Sequence, residues 1–212
     1  MEQLAIKVSD EPHFIFNSLN SIQQYVMDKD VAGANKFISG FSRLIRQTLD
    51  FSSKQKVGIQ EELDYLKNYL ELEKTRLESA FDYSIEVDPL LANTGYTIPP
   101  MILQPFVENS VRHGVRYRKD NSGHIRIRVT IDENHIYFVI EDNGVGRSQS
   151  KNFKSSIPIE YQSKGMSLTA NRVELLNNSS KQKMQVTIED AFPDDKEYPG
   201  TRVIVSMPAY FD

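Results

Sequence analysis

The chain has 212 residues, of which 39% are hydrophobic and 25% are charged, and its formal net charge is −4 at pH 7. This composition is typical of a globular protein with enough apolar material for a sizeable core. The acidic balance excludes a global basic field that would favour nucleic acid or an anionic membrane surface. The absence of cysteine excludes disulfides and thiolate metal sites, and no run approaches the ~20 apolar residues of a membrane span.

The chain before Phe81 has a helical hydrophobic period. A first helix is predicted over 14–26, with a bundle-type seam at Ile15, Leu19, Ile22 and Val26. A second helix is predicted to end near 51–53, and a third follows Gly58 with the stripe Leu63, Leu66, Leu70 and Leu77. Because a pair of helices buries too little surface alone, we expect the first two to form a four-helix bundle by dimerising.

From Tyr83 onward the hydrophobic period switches to two, which is typical of strands with one buried face. Strands are predicted over 83–87, 125–131, 136–140, 185–189 and 202–207. One interleaved helix is predicted to open at Pro99 and Pro100, because proline suits the first helical position, and another covers 166–177. The pattern predicts an α+β sandwich, and its long Ser- and Lys-rich loop over 147–164 is of a length usually functional or disordered.

Three short constellations in this second region could carry chemistry. The stretch PFVENSVRHG places polar groups along one side of a helix, at Glu108, Asn109, Arg112 and His113. The stretch EDNGVG follows a strand and combines Asp142 with Gly144 and Gly146, where the backbone can turn sharply. In KGMSLTANRVELL, Gly165 starts a helix whose free N–H groups suit phosphate. Taken singly, each is also compatible with a solvated helix face, a plain turn or an ordinary helix start.

Their order, closed by the GTRV strand with Gly200 and Thr201, resembles the GHKL (Bergerat-type) ATP-binding domain. The resemblance implies that ATP and Mg²⁺ are cofactors, with Asn109 holding Mg²⁺ and Glu108 acting as or orienting a base. It implies that Asp142 accepts a hydrogen bond from the adenine amino group and that residues 147–164 form a lid. The other nucleotide-binding positions that it implies are Arg112, His113, Gly144, Gly146, Gly165, Ser167 and Thr201. The phosphate loop departs from the family's GxGL pattern, since Ser167 replaces its second glycine.

The stretch PHFIFNSLNSI, residues 12–22, resembles the PHFxFNxLN hallmark of LytS-type sensor histidine kinases, in which the histidine is the phosphoacceptor. Here that residue is His13, and Asn17 one turn on could hydrogen-bond the imidazole or the incoming phosphoryl group. The spacing agrees, because His13, Asn17, Asn20 and Gln24 form a polar stripe away from the Ile15 seam. A neutral imidazole, with a pKa near ~6.5, is a competent nucleophile at neutral pH.

The sequence therefore predicts a histidine kinase core of a two-component system, with dimerisation and phosphotransfer helices over 1–57, a connecting helix over 58–80 and a GHKL domain over 81–212. Expected partners are a second copy of the chain and a response-regulator receiver domain. We expect the cytoplasmic portion of a bacterial membrane sensor, which meets the membrane only through an N-terminal sensor region that this chain lacks. Two alternatives stay open: a GHKL ATPase without a phosphorylated residue, and an ATP-binding dimeric scaffold.

Two further features of the sequence do not indicate a functional site. The basic residues around Tyr117 could suggest nucleic acid, but strand alternation makes Arg126 and Arg128 an ordinary exposed sheet face, and no nucleic-acid partner is expected. The histidines at 113, 124 and 135 lack metal-ligand spacing.

Overall fold

A computed structural model of the protein describes residues 11–91, 95–147, 173–178 and 183–209, with side chains described from Ile15 onward. Its helices are α1 (Glu11–Met27), α2 (Val31–Ser53), α3 (Ile59–Arg76) and α4 (Gln104–Asn109). Its strands are β1 (Val57–Gly58), β2 (Phe81–Val87), β3 (Thr97–Ile98), β4 (Gly123–Ile131), β5 (His135–Asp142), β6 (Gln185–Glu189) and β7 (Thr201–Pro208). Residues 173–178 are also helical.

The helices α1 and α2 form a helical hairpin, and a tight polar turn joins them. The turn is closed by Lys29, which has a φ of 58°, and by Asp30, whose side chain accepts a hydrogen bond from the Gly33 N–H at 2.9 Å and caps α2. Ser18 is buried on α1, whereas Leu19 and Val26 of the predicted seam are exposed. Only part of the predicted seam therefore packs inside the single chain: Ile22 packs against the core together with Tyr25, whereas Leu19 and Val26 do not.

The predicted third helix is confirmed as α3, and Leu63, Leu66 and Leu70 of its predicted stripe are fully buried, whereas Leu77 is half-buried and follows the last helical residue. The helix begins after Gly58, whose N–H donates to Glu61 Oε2 at 2.9 Å. Side-chain contacts join α3 to α2: the Thr48 and Tyr65 hydroxyls lie 3.2 Å apart, and Asn68 Nδ2 donates to Gln47 Oε1 at 2.8 Å. A helix with buried residues around much of its circumference belongs to a core rather than to a solvated linker.

Five of the described strands form a mixed sheet in the order β2-β4-β5-β7-β6, in which β2 and β4 are parallel and the other pairs are antiparallel. The predicted hairpin of β4 and β5 is confirmed, with Ile127 opposite Ile140. One face of the sheet is buried and joins α3 and α4 in a single apolar core. The other face carries Arg126 and Arg128, which are exposed and lie 3.5 and 3.3 Å from Glu86 carboxylate oxygens, as strand alternation predicted.

The prediction that Pro99 and Pro100 open a helix is wrong. Residues after Pro100 form a turn in which Met101 has a φ of 57°, a left-handed conformation that a right-handed helix cannot contain. The helix starts at Gln104 instead, with Pro105 in its first turn. The short antiparallel pairing of β1 with β3 was not predicted, because two residues carry no readable period. Helices followed by a mixed sheet confirm the predicted α+β class.

Candidate functional site

Asp142, the last residue of β5, is a buried carboxylate with 1% of its surface exposed. Its Oδ1 accepts a hydrogen bond from the Gly144 N–H at 3.0 Å. Burial raises the pKa of Asp142 to about 6, while hydrogen bonds from the Gly144 N–H, the Ser110 hydroxyl and the Thr201 N–H limit the rise. A buried carboxylate whose pKa is shifted in this way is typical of a ligand-binding or catalytic site.

Glycine residues lie close to this carboxylate and leave no room for a side chain. A Cβ on Gly114 would stand 2.6 Å from Asp142 Oδ1, and a Cβ on Gly144 would stand 2.2 Å from the Gly114 carbonyl carbon. Since real Cβ atoms do not approach other atoms so closely, the chain needs glycine at both positions. We call the region formed by Gly114, Asp142 and Gly144 the glycine notch. Gly146, the other glycine predicted for this site, is buried and has a φ of 72°.

The predicted polar residues of the PFVENSVRHG stretch lie just before the glycine notch. Glu108, Asn109, Arg112 and His113 are all half-buried. Glu108 and Asn109 end α4, and Ser110–Gly114 then forms one π-helical turn, so, contrary to the prediction, Arg112 and His113 do not continue the same α-helix. Gln104 Nε2 donates to Glu108 Oε1 at 2.6 Å. The hydrogen bond from Ser110 to Asp142 brings this segment against the end of β5.

The strand β7 closes the site on its other side. Thr201 opens β7 opposite Asp142 in register, and the Gly200 N–H donates to the Gly144 carbonyl at 3.0 Å. The structure thus brings together Asp142, Gly144 and Thr201, which the sequence predicted, with Ser110 and Gly114, which it did not single out. The only sequence signal for Ser110 and Gly114 was their position inside the PFVENSVRHG stretch.

A set of side-chain contacts that the sequence did not predict holds the loop after β5. Arg118 Nη1 donates to the Asn143 carbonyl at 2.5 Å, and its guanidinium carbon lies 3.9 Å from the centroid of the Tyr198 ring. Asn143 Oδ1 accepts from the His124 N–H at 2.7 Å. Arg118 also pairs with Asp120 at 2.6 Å, two residues on. Its contacts with Asn143 and Tyr198 join positions 25 and 80 residues away in the chain, so no pattern in the sequence predicts them.

The remaining predicted site residues lie apart from the glycine notch or outside the described residues. His13 and Asn17 are on α1, which packs against α2. Only the backbone of His13 is described, whereas Asn17 is half-buried and its carbonyl accepts from Ser21 Oγ at 3.1 Å. Gly165, Ser167 and all of the predicted lid except Arg147 lie outside the described residues. Within the described ranges, no helix combines the length and the apolar character needed to cross a bilayer.

Comparisons with known proteins agree with this architecture. Residues 1–81 match the histidine kinase family, and residues 99–210 match the family described as histidine kinase-, DNA gyrase B- and HSP90-like ATPase. The chain is 34% identical over 135 residues to the sensor protein LytS of Oceanobacillus iheyensis, covering 64% of this chain and 22% of that protein. It is 31% identical over 141 residues to the sensor protein kinase HptS of Staphylococcus aureus, covering 66% of this chain and 26% of that protein.

The chain thus spans about a fifth to a quarter of the length of these sensor proteins. Among solved structures it is similar to a mycobacterial sensor histidine kinase, MprB, with a TM-score of 0.48 and 20% identity over 72% of this chain and 97% of that one.

The sequence similarities confirm the predicted resemblance to LytS-type sensor histidine kinases. Because the ATPase family match covers more than half of the residues, the chain belongs to the histidine kinase-, DNA gyrase B- and HSP90-like ATPase family.

Proposed function

We propose that this chain is the ATP-dependent core of a protein-histidine kinase. His13 accepts the γ-phosphoryl group of ATP bound at Asp142 and passes it to an aspartate on a response-regulator receiver domain. The observation that carries the proposal is the buried carboxylate of Asp142 in the glycine notch, on a chain that also has the PHFIFNSLN stretch around His13. The predicted division into 1–57, 58–80 and 81–212 belongs to the same proposal.

The hydrogen-bonding capacity of Asp142 supports an adenine at this site. An ionised carboxylate has about four acceptor positions. Three donors are already assigned to Asp142, namely the Gly144 N–H, the Ser110 hydroxyl and the Thr201 N–H. The remaining capacity suits an exocyclic amino group, and the glycine notch, which lacks side chains, suits the close approach of a flat base. With a pKa near 6, the carboxylate is mostly ionised at neutral pH and able to accept.

The oxygen atoms at the end of α4 support Mg²⁺ with the nucleotide. Mg²⁺ prefers oxygen ligands and usually combines one or two protein oxygens with phosphates and waters. In this proposal the Asn109 side-chain oxygen holds the metal, and Glu108 receives the proton that the imidazole loses. Arg112 and His113 face the phosphates with Gly165 and Ser167, and Gly146 and Thr201 line the base pocket.

The transfer itself is a displacement at phosphorus. When bound, ATP supplies the γ-phosphoryl group and leaves as ADP. A ring nitrogen of His13 forms the new N–P bond as the bond between the γ-phosphorus and the bridging oxygen breaks. Asn17 orients the imidazole from one turn further along α1. The phosphoryl group then moves from the His13 nitrogen to a carboxylate oxygen of the regulator, which restores the free imidazole.

Unpartnered apolar side chains on the hairpin support a homodimer through residues 1–52. Phe16 is 63% exposed and Leu49 is 65% exposed, and the other large apolar residues exposed on α1 and α2 are Leu19, Val26, Met27, Val31 and Ile38. At ~100° per residue, Val31, Ile38 and Leu49 fall on one side of α2, about 100–140° around the helix from the buried Phe37 and Leu44. A contiguous exposed apolar face of this kind marks an interaction surface.

Incubation with γ-labelled ATP and Mg²⁺ tests the proposal. Label on the protein supports the kinase. Release of free phosphate without protein label would instead support an ATPase that uses nucleotide to change conformation. Nucleotide binding with neither product would support a dimeric scaffold. Adding a receiver domain to labelled protein should move the label to the regulator.

A further inference from the structure

Glu62, in the first turn of α3, is a carboxylate with 0% of its surface exposed. Its two oxygens accept main-chain hydrogen bonds from residues far along the chain: Oε2 from the Met101 N–H at 2.8 Å and Oε1 from the Leu103 N–H at 3.2 Å. Burying a carboxylate is costly unless such charge-assisted hydrogen bonds compensate. A buried acid with this pairing is therefore a specific tie between α3 and residues 101–103.

The tied residues control the start of α4. Leu103 is the N-cap residue of that helix, and α4 begins directly after it at Gln104. Met101 has a φ of 57°, which is unfavourable for a residue that is not glycine and persists only where surrounding contacts hold it. The hydrogen bond from the Met101 N–H to Glu62 is such a contact. Glu62 thus accepts main-chain hydrogen bonds from the residues directly before α4.

A second residue on α3 lies near the other end of the same segment. Tyr69 is buried seven residues after Glu62, which places both side chains on the same side of the helix. Burial raises the pKa of the Tyr69 hydroxyl well above its usual value, and the negative charges of Glu73 and Glu108 add to the rise while Arg112 opposes it. The charges of Glu108 and Arg112 thus act on a buried residue of α3.

We propose that Glu62 is a positioning residue for the nucleotide site: by holding the Met101 and Leu103 amides against α3, it sets where α4 presents Glu108 and Asn109. The inference rests on the proposed function, because a nucleotide at Glu108 and Asn109 is part of that function. Since α3 also contacts α2 through Tyr65 and Asn68, the same tie connects the hairpin to the nucleotide site.

The test uses the full chain and the variant Glu62→Gln, in which an amide nitrogen that cannot accept replaces one carboxylate oxygen. The matched control is Glu61→Gln, which removes a neighbouring charge whose carboxylate accepts from the Gly58 N–H at 2.9 Å and lies 3.4 Å from Lys54 Nζ. A second control is Leu66→Ala, which truncates a fully buried core residue one turn further along α3 and reports general loss of stability. Two quantities are measured: the Kd for Mg-ATP by calorimetry and hydrogen exchange at the Met101 and Leu103 amides.

Glu62→Gln is expected to weaken Mg-ATP binding about tenfold, the scale of one lost hydrogen bond to a charged group, and to speed exchange at both amides. Both controls should bind as tightly as the parent, although Leu66→Ala unfolds more easily. Binding by Glu62→Gln at the parental Kd, or an equal loss of affinity in Leu66→Ala, would overturn the inference.

If Glu62→Gln does not fold, Glu62→Asp, which keeps the charge on a shorter side chain, is judged by the same outcomes. A parent that does not bind Mg-ATP contradicts the proposed function instead, and unchanged exchange in the variant still overturns the tie.

Discussion

Gly114 and Asp142 lie so close together that a Cβ on Gly114 would stand 2.6 Å from Asp142 Oδ1. One residue ends a π-helical turn and the other ends a strand, and they are 28 positions apart in the sequence. The missing side chain at position 114 is thus part of the geometry that lets a carboxylate sit buried beside the backbone. This relationship gives the candidate site a steric signature that mutation can probe.

Gly114→Ala should displace the Asp142 carboxylate and weaken Mg-ATP binding. Overpacking of this kind costs roughly 1–3 kcal/mol, so we expect a loss of affinity of about tenfold or more by calorimetry. Gly95→Ala is the matched control, because a Cβ at Gly95 meets nothing within 4 Å. If both alanine variants bind nucleotide like the parent, the base pocket does not lie at Asp142.

Asp142→Asn should weaken nucleotide binding without unfolding the protein. Loss of a charged acceptor for the adenine amino group costs about 1.5–3 kcal/mol, which corresponds to roughly a tenfold to hundredfold higher Kd. The same variant should bind a purine nucleotide lacking the 6-amino group with less penalty, since that contact is already missing. An unchanged affinity for Mg-ATP would contradict the assignment of Asp142.

The buried negative charge of Asp142 should lower the free energy of unfolding of the nucleotide-free protein. The folded protein holds this proton more tightly than the unfolded chain, because the pKa rises from 3.8 to about 6. The stabilising contribution is therefore complete below about pH 4 and is lost as the pH rises through 6. Without nucleotide, Asp142→Asn should be more stable than the parent at pH 7.5, by on the order of 3 kcal/mol, but not at pH 4. Urea unfolding at both pH values measures this, and an equal difference at both would exclude Asp142 as the cause.

His13→Gln should abolish protein-bound label from γ-labelled ATP while leaving the Kd for Mg-ATP unchanged. The label on the parent should be lost in acid and survive base, as expected for a phosphoramidate. His135→Gln serves as the control, because His135 lies at the start of β5, far from α1 in the sequence. Full labelling of His13→Gln would mean that another residue is the acceptor.

Leu49→Glu should convert the expected dimer into a monomer, because it puts a charge into the exposed apolar face of α2. Sedimentation at ~50 µM should show the parent as a dimer, since that concentration exceeds the typical Kd of an obligate helical interface. Lys36→Glu, at an exposed position on a different side of α2, controls for added negative charge and should leave the dimer intact. A monomeric parent at this concentration would refute the homodimer.

Much of this fold follows from local patterns. The period of 3.6 in α2 and α3 and the period of two in β4, β5 and β7 gave the right element types, because one face of each element must be buried. The motif around Asp142 was also readable, since a carboxylate and glycines directly after a strand lie close together whatever the remaining fold. The sequence by itself thus determined the class, the family resemblance and the strand-end half of the site.

The tertiary structure alone decided how distant segments complete that site. Pro99 and Pro100 have the local signature of a helix start, but the hydrogen bonds of Met101 and Leu103 to Glu62, about 40 residues earlier, stabilise a left-handed turn there instead. Gly114 and Ser110 became part of the site only when the π-helical turn met the end of β5. Such contacts depend on which buried polar group finds a partner across the core, and a pairing between positions so far apart leaves no periodic trace in one sequence.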